Sequence, residues 1–238
     1  SMYIQGHAAL ANRLKLHVTA SLSYDVLRRA RRQVKNTGIA AQYMVIWCVD
    51  CKQLIGGVKM LYEKKIDGST VYEGVIVNVR RDRAELVNGS VVGREVVEHP
   101  GGVAIIPVEE DGTVWCVRQF RYPIGREMLE LPAGKLERGE DPFECAVREL
   151  SEETGLTADK YVNLGSFCTS PGFCTEVLHI YLALGLHRGD MHLDPGEFLN
   201  VEKYKLDELV RMVMACEIDD AKTIIGVLKA HKYLEDTK

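Results

Sequence analysis

No glutamate occurs before residue 63 in this chain of 238 residues. Residues 1–59 hold nine Lys or Arg against two Asp, a balance of +7, whereas residues 60–238 hold 21 basic and 32 acidic residues, a balance of −11. That shift is the clearest compositional boundary in the sequence. Also missing is any apolar run long enough to span a bilayer, and the first 16 residues lack the apolar stretch of a signal peptide. No membrane partner is expected. The seven cysteines are odd in number and scattered. They do not fit a disulfide framework and point to a reducing cytoplasm. There is no internal repeat or low-complexity tract. Hydrophobic residues make up 46% of the chain, enough for a packed core, so disorder is not expected either.

The basic segment contains one stretch of helical character, Tyr24–Val34, with Arg28, Arg29, Arg31 and Arg32 in it, and a Cys48-Val-Asp-Cys51 motif. The arginine run reads as a solvated face, so a nucleic-acid partner is not expected. No second CxxC or His pair follows at finger spacing, so a zinc site is not expected either. Gly56-Gly57-Val58-Lys59-Met60 admits another reading. Encoded as GGAGGN, the Gly-Gly pair would be a ribosome-binding sequence set correctly before an ATG. On this hypothesis the natural protein begins at Met60 and residues 1–59 are a translated leader. Peptides from residues 2–59 in the endogenous protein, found by mass spectrometry, would contradict it.

After Met60 the pattern turns to strands. Val75–Val79 is β-branched. Ala84–Val87 and Ser90–Val97 flank Asn88-Gly89, a type I′ hairpin signal. Val103–Val108 and Thr113–Phe120 flank a second hairpin at Glu109–Gly112, and Glu127–Leu131 forms a short strand before Pro132-Ala133-Gly134. Asp141–Thr154 reads as a helix. Asp141 is the N-cap, Pro142 suits the first turn, Glu144 stands at the capping-box position, and Gly155 is the stop. Its apolar face is expected to hold Phe143, Val147, Leu150 and Thr154. Tyr161–Phe167, Glu176–Leu186 and Phe198–Lys205 follow as strands, with Leu206–Cys216 and Asp220–Tyr233 as helices. Such mixing predicts an α/β (α+β) layered domain.

The polar face of the Asp141–Thr154 helix carries the chemistry. Glu149, Glu152 and Glu153 stand at i, i+3 and i+4, within a narrow arc of one face. Like charges so placed cost roughly 0.2–0.5 kcal/mol per pair, and they sit in the last turn, where the helix dipole disfavours anions. A solvated acidic surface, with Arg148 paired to Glu152, would account for them singly. A divalent cation would account for them together.

The flanking residues favour the cation. Five residues separate Gly134 from Glu140, and seven more lead to Arg148-Glu149-Leu150-Ser151-Glu152-Glu153-Thr154-Gly155-Leu156. This run resembles the Nudix box, G-x5-E-x7-R-E-U-x-E-E-x-G-U with U apolar, and departs from it at no position. The resemblance implies an α/β/α sandwich with a mixed β-sheet, preceded by a small N-terminal antiparallel sheet, and a divalent metal beside a diphosphate. Pro171 stands sixteen residues after Gly155, within Ser170-Pro171-Gly172. That spacing is similar to the ADP-ribose pyrophosphatase subgroup. Val117–Arg121, Leu131–Gly134, Gly196-Glu197-Phe198 and Asp219–Thr223 resemble it too.

Residue by residue, the resemblance implies that Glu149, Glu153 and the Ala133 carbonyl bind metal, and that Glu152 is a ligand or an acid just behind the ligands. Arg148 would orient the glutamates, and Arg121 would meet a phosphate or the terminal ribose. Glu197 would be the general base. The backbone of Ser170, Pro171 and Gly172 would touch the terminal ribose, and Glu95 the adenine end. The expected reaction is Mg²⁺-dependent hydrolysis of ADP-ribose to AMP and ribose 5-phosphate, with Mn²⁺ as a substitute. Another nucleotide sugar or a dinucleotide is the nearest alternative substrate. A non-catalytic ADP-ribose-sensing domain is the alternative of another class. The resemblance also implies a homodimer. The expected organisation is an extension over 1–59, a dimerising antiparallel sheet over 60–98 and a hydrolase domain over 99–238.

Overall fold

The computed structural model describes residues 61–237. The Tyr24–Val34 stretch, Cys48, Cys51 and the boundary at Met60 lie outside them. Ten strands and three helices follow in the order β1 (Glu63–Glu73), β2 (Asn78–Leu86), β3 (Val91–Glu98), β4 (Gly102–Val108), β5 (Thr113–Arg121), β6 (Arg126–Glu130), β7 (Ala133–Lys135), α1 (Pro142–Thr154), β8 (Leu156–Cys168), β9 (Val177–Arg188), β10 (Leu199–Lys205), α2 (Leu206–Met214) and α3 (Ala221–Asp236).

Two sheets result. β1, β2 and β3 form an antiparallel sheet in that order. The larger sheet runs β10-β5-β4-β9-β8, with β6 beside β5 and β7 beside β4. β4 and β9 are parallel and the other pairs antiparallel, so the sheet is mixed. β4 is buried along its whole length, as a strand packed on both faces must be. Its alternate residues feed two cores. Ala104, Ile106 and Val108 join Leu206, Leu209, Val213, Val227 and Ala230 of α2 and α3. Val103 and Ile105 join Cys145, Ala146 and Leu150 of α1. The layers are therefore helix, sheet, helix.

Several sequence expectations need correction. The strand expected at Val75–Val79 is a turn at Val75 and Ile76, both exposed, and β2 begins at Asn78. Val75 and Ile76 lack the partner strand that β-propensity presupposes, whereas Asn78 and Val79 pair with β1 and β3. β1, exposed throughout, was missed because its charged sequence shows no apolar alternation. Cross-strand ion pairs join it to β2 and β3: Lys65 to Asp82 at 2.9 Å, Asp67 to Arg83 at 2.9 Å, and Glu63 to Arg94 at 2.8 Å. The Asn88-Gly89 hairpin exists, but not as a type I′ turn. The Leu86 amide donates to the Ser90 carbonyl, and Gly89, with φ 83°, is left-handed while Asn88 is not. This is a three-residue loop, and Glu110-Asp111-Gly112 repeats the pattern.

Asp141 caps α1 by accepting from the Phe143 amide at 2.8 Å, and left-handed Gly155 ends it. Among the described residues no hydrogen bond joins Asp141 and Glu144 in either direction, so the capping box is not made and Asp141 caps through the Phe143 amide alone. The buried face of α1 is Cys145, Ala146, Leu150, Glu153 and Thr154. Phe143 instead sits half exposed, edge-on to Tyr161. No helix among the described residues is long and apolar enough to cross a membrane.

Candidate active site

Strand β7 sets the floor of the site. Ala133 pairs with Ala104 of β4, and the Pro132 carbonyl accepts from the Ile105 amide at 2.8 Å. The Ala133 amide then donates to Glu153 Oε2 at 2.8 Å, fixing a carboxylate that is 4% exposed. Burial pushes the Glu153 carboxyl up to about 8; Glu149 and Glu197 add to the rise, against the Ala133 amide and Arg121. Glu149 is also raised, by burial first and then by Glu152 and Glu197, while Arg148 pulls it down. Gly134 lets the two walls meet. A Cβ there would lie 1.9 Å from the Glu149 carboxylate.

Arg148 is the hub of the acidic face. Its Nη1 donates to Glu149 at 2.7 Å and Glu152 at 2.8 Å, and its Nε to Glu140 at 2.9 Å. Its Nη2 reaches Glu140 and the Lys135 carbonyl. Arg148 and the Glu137 amide hold the Glu140 carboxyl down at about 2. Glu140 thus ties the loop before α1 to its last turns.

The segment carrying Glu197 is fastened to the end of α1. The Gly189 amide donates to the Gly155 carbonyl at 2.6 Å, and the His192 amide to the Glu152 carbonyl at 3.0 Å. Glu197 itself is exposed, yet its charge is felt at Glu149 and Glu153. Ala133, Arg148, Glu149, Glu152, Glu153 and Glu197 therefore form one neighbourhood.

Arg121 is also felt at Glu153, while Ser170–Gly172 and Glu95 are placed differently. Arg121 makes a two-pronged pair with Glu130, Nε to Oε1 at 2.7 Å and Nη2 to Oε2 at 2.6 Å. Ser170–Gly172 is a turn: the Ser170 carbonyl accepts from Phe173 at 3.1 Å and Cys174 at 2.9 Å. Val97 of β3 exchanges backbone bonds with Phe173 and Thr175, so this turn sits on the end of the small sheet. Glu95, two residues earlier on β3, faces Arg81 at 3.6 Å. Among the described residues, no hydrogen bond or ion pair joins Ser170–Gly172 or Glu95 to the α1 face. Glu130 and Lys222 were missed. The available signal was Glu130, the acid at the inner end of a strand heading into the core, which demands a buried partner.

The donor chemistry fits a hard divalent cation. Glu140, Glu149, Glu152, Glu153 and Glu197 bring oxygen ligands and negative charge that Arg148 alone does not offset. As they stand, no three acidic, His or Cys side chains among the described residues converge on one point. Glu149 and Glu152 lean on Arg148, and Glu153 on the Ala133 amide, so ligation requires the first two to turn.

This burial has a consequence for stability. Glu153 has its folded value raised above its unfolded one, so its contribution to stability is complete below about pH 4.5 and is lost as pH rises through about 8. The melting temperature of the metal-free protein should therefore fall between about pH 5 and about pH 9, and a divalent cation should raise it more at the upper end. Calorimetry with and without chelator tests this. A metal-induced shift independent of pH would contradict it.

The geometry has counterparts. The family model of the NUDIX domain matches residues 98–224. The ADP-ribose pyrophosphatase of Bacillus subtilis is 41% identical over 172 residues, covering 71% of this chain and 93% of that protein. The methanol dehydrogenase activator of Bacillus methanolicus is 41% identical over 171 residues, 71% of this chain and 92% of that one. A crystal structure of an ADP compounds hydrolase superposes with a TM-score of 0.68 at 20% identity, covering 76% of this chain and 98% of that one.

Proposed function

The chain belongs to the Nudix family, and from that premise we propose that it hydrolyses the pyrophosphate bond of ADP-ribose to AMP and ribose 5-phosphate. The observation that carries this is the acidic face of α1, closed against Ala133 and Gly134. The B. subtilis pyrophosphatase, alike over 93% of its own length, points to the substrate.

Nudix hydrolases work with divalent cations. Here we take the cation to be Mg²⁺, replaceable by Mn²⁺, held by Glu149, Glu153 and the Ala133 carbonyl, with Glu152 a ligand or just behind them. Bound there, the cation would supply charge neutralisation at the diphosphate and a more acidic water. Arg148 keeps Glu149 and Glu152 oriented. Glu197, solvent-accessible and near the carboxylates, takes the proton of the attacking water. Arg121 meets a phosphate oxygen with its fixed guanidinium. The backbone of Ser170, Pro171 and Gly172 borders the terminal ribose, and Glu95 the adenine end.

The protein is proposed to act in the cytoplasm as a homodimer. Residues 60–98 would supply the dimerising sheet and 99–238 the hydrolase domain. In the small sheet β1 is uncovered, and Ile66, Val71, Tyr72 and Val91 are exposed. A second copy would cover this apolar surface. A single-chain mass by light scattering would overturn the dimer.

The substrate is tested by a panel of ADP-ribose, ADP-glucose, GDP-mannose, NADH, diadenosine polyphosphates and 8-oxo-dGTP. ADP-ribose is expected to give the highest kcat/KM. If another compound leads, the substrate assignment fails while the metal helix stands. If none is cleaved, a sensing domain replaces the enzyme.

A further inference from the structure

We propose that Lys222 is a positioning residue for Arg121, acting through the buried carboxylate of Glu130; this rests on the reading of Arg121 as a phosphate contact. Glu130 ends β6 and is 1% exposed. A carboxylate so enclosed stays ionised only with charged partners close by. Among the described residues it has two, Arg121 and Lys222, and they lower its pKa against the effect of burial.

The partners meet Glu130 in unlike ways. Arg121 spends Nε and Nη2 on the two carboxylate oxygens. Its Nη1 makes no hydrogen bond among the described residues. One edge of the guanidinium is clamped, and the other keeps its donors for an oxyanion. Lys222 bonds the same Oε2 that receives Arg121 Nη2. It therefore decides where that oxygen sits, and with it the plane of the guanidinium.

Lys222 is itself held. It pairs with Asp220 at 3.0 Å, and the same Asp220 oxygen accepts from the Thr223 amide at 3.0 Å and hydroxyl at 2.5 Å, capping α3. The Thr223 hydroxyl oxygen accepts from the Leu131 amide at 2.9 Å, next to Glu130. The first turn of α3 thus grips the β6–β7 corner at two successive residues. Charge points the same way. Arg121, Lys222, Glu130 and Asp220 cancel as a set. Without Lys222 the set carries a net negative charge beside Glu153 and would repel a phosphate.

The test is steady-state hydrolysis of ADP-ribose by the full chain, alongside melting curves. Lys222→Met is expected to lower kcat/KM about 10- to 100-fold, as misplacing a positioned group does. It should add little to Arg121→Ala in the double variant, since both remove one function. Lys222→Arg should recover most of the loss. Glu130→Gln, nearly isosteric, gives a second comparison should Lys222→Met not fold, and it too should add little to Arg121→Ala. A purely structural ion pair would lower the melting temperature while kcat/KM of the folded enzyme held. Lys222→Met or Glu130→Gln within about twofold of wild type, beside an impaired Arg121→Ala, overturns the inference alone. Fully multiplicative losses in the double variants do so too. An unimpaired Arg121→Ala overturns the phosphate assignment and the inference with it.

Discussion

Glu149→Gln is expected to lower kcat by about 10²- to 10³-fold with the fold intact, the scale of loss when one preorganised electrostatic group is removed. Glu149 is a half-buried carboxylate pushed up by burial and by Glu152 and Glu197. Glutamine keeps its shape and an oxygen that can accept from Arg148 Nη1, now at 2.7 Å from Glu149. It removes the charge a cation needs and also the like-charge strain. The variant should therefore melt no lower than wild type, and in the absence of metal somewhat higher. That pairing of lost activity with kept stability marks a residue selected for function. A variant working within about threefold of wild type would count against the cation site.

Gly134→Ala should act on the same carboxylate from the opposite wall. The added methyl would meet three atoms of the Glu149 carboxylate group, at 1.9, 1.9 and 2.3 Å. These belong to the end of a flexible side chain, so Glu149 can swing away and β7 can stay paired with β4. The stability cost should be no more than about 1–3 kcal/mol, the range for one inserted methyl group. Turnover should drop nearly as far as in Glu149→Gln, and the divalent-cation melting shift should shrink with it. If Gly134→Ala keeps full activity, Glu149 does its work somewhere other than against β7.

How legible these features were differs by element. The fixed spacing from Gly134 to Leu156 located α1, its cap, its stop and its acidic face, because helical period and capping are local properties. β4 and β9 announced themselves as apolar runs. β1 did not, since its residues pair across the small sheet through ions rather than through a buried face. The two tight hairpins showed their glycines but not their loop length, which depends on strand register. In the site, Arg148 and the glutamates of α1 were readable by spacing. The Arg121–Glu130–Lys222 cluster was not, because residues 121, 130 and 222 meet only when β5, β6 and α3 converge. Glu197 was found by resemblance. Its fastening to α1 through Gly189 and His192 is a tertiary fact no local pattern carries.

The most direct test is to incubate the full chain with ADP-ribose, with Mg²⁺ or with chelator, and identify the products. Equal amounts of AMP and ribose 5-phosphate, formed only with the divalent cation, are the predicted result. No product with either Mg²⁺ or Mn²⁺, or the same rate in chelator, would contradict a metal-dependent pyrophosphatase built on the acidic face of α1.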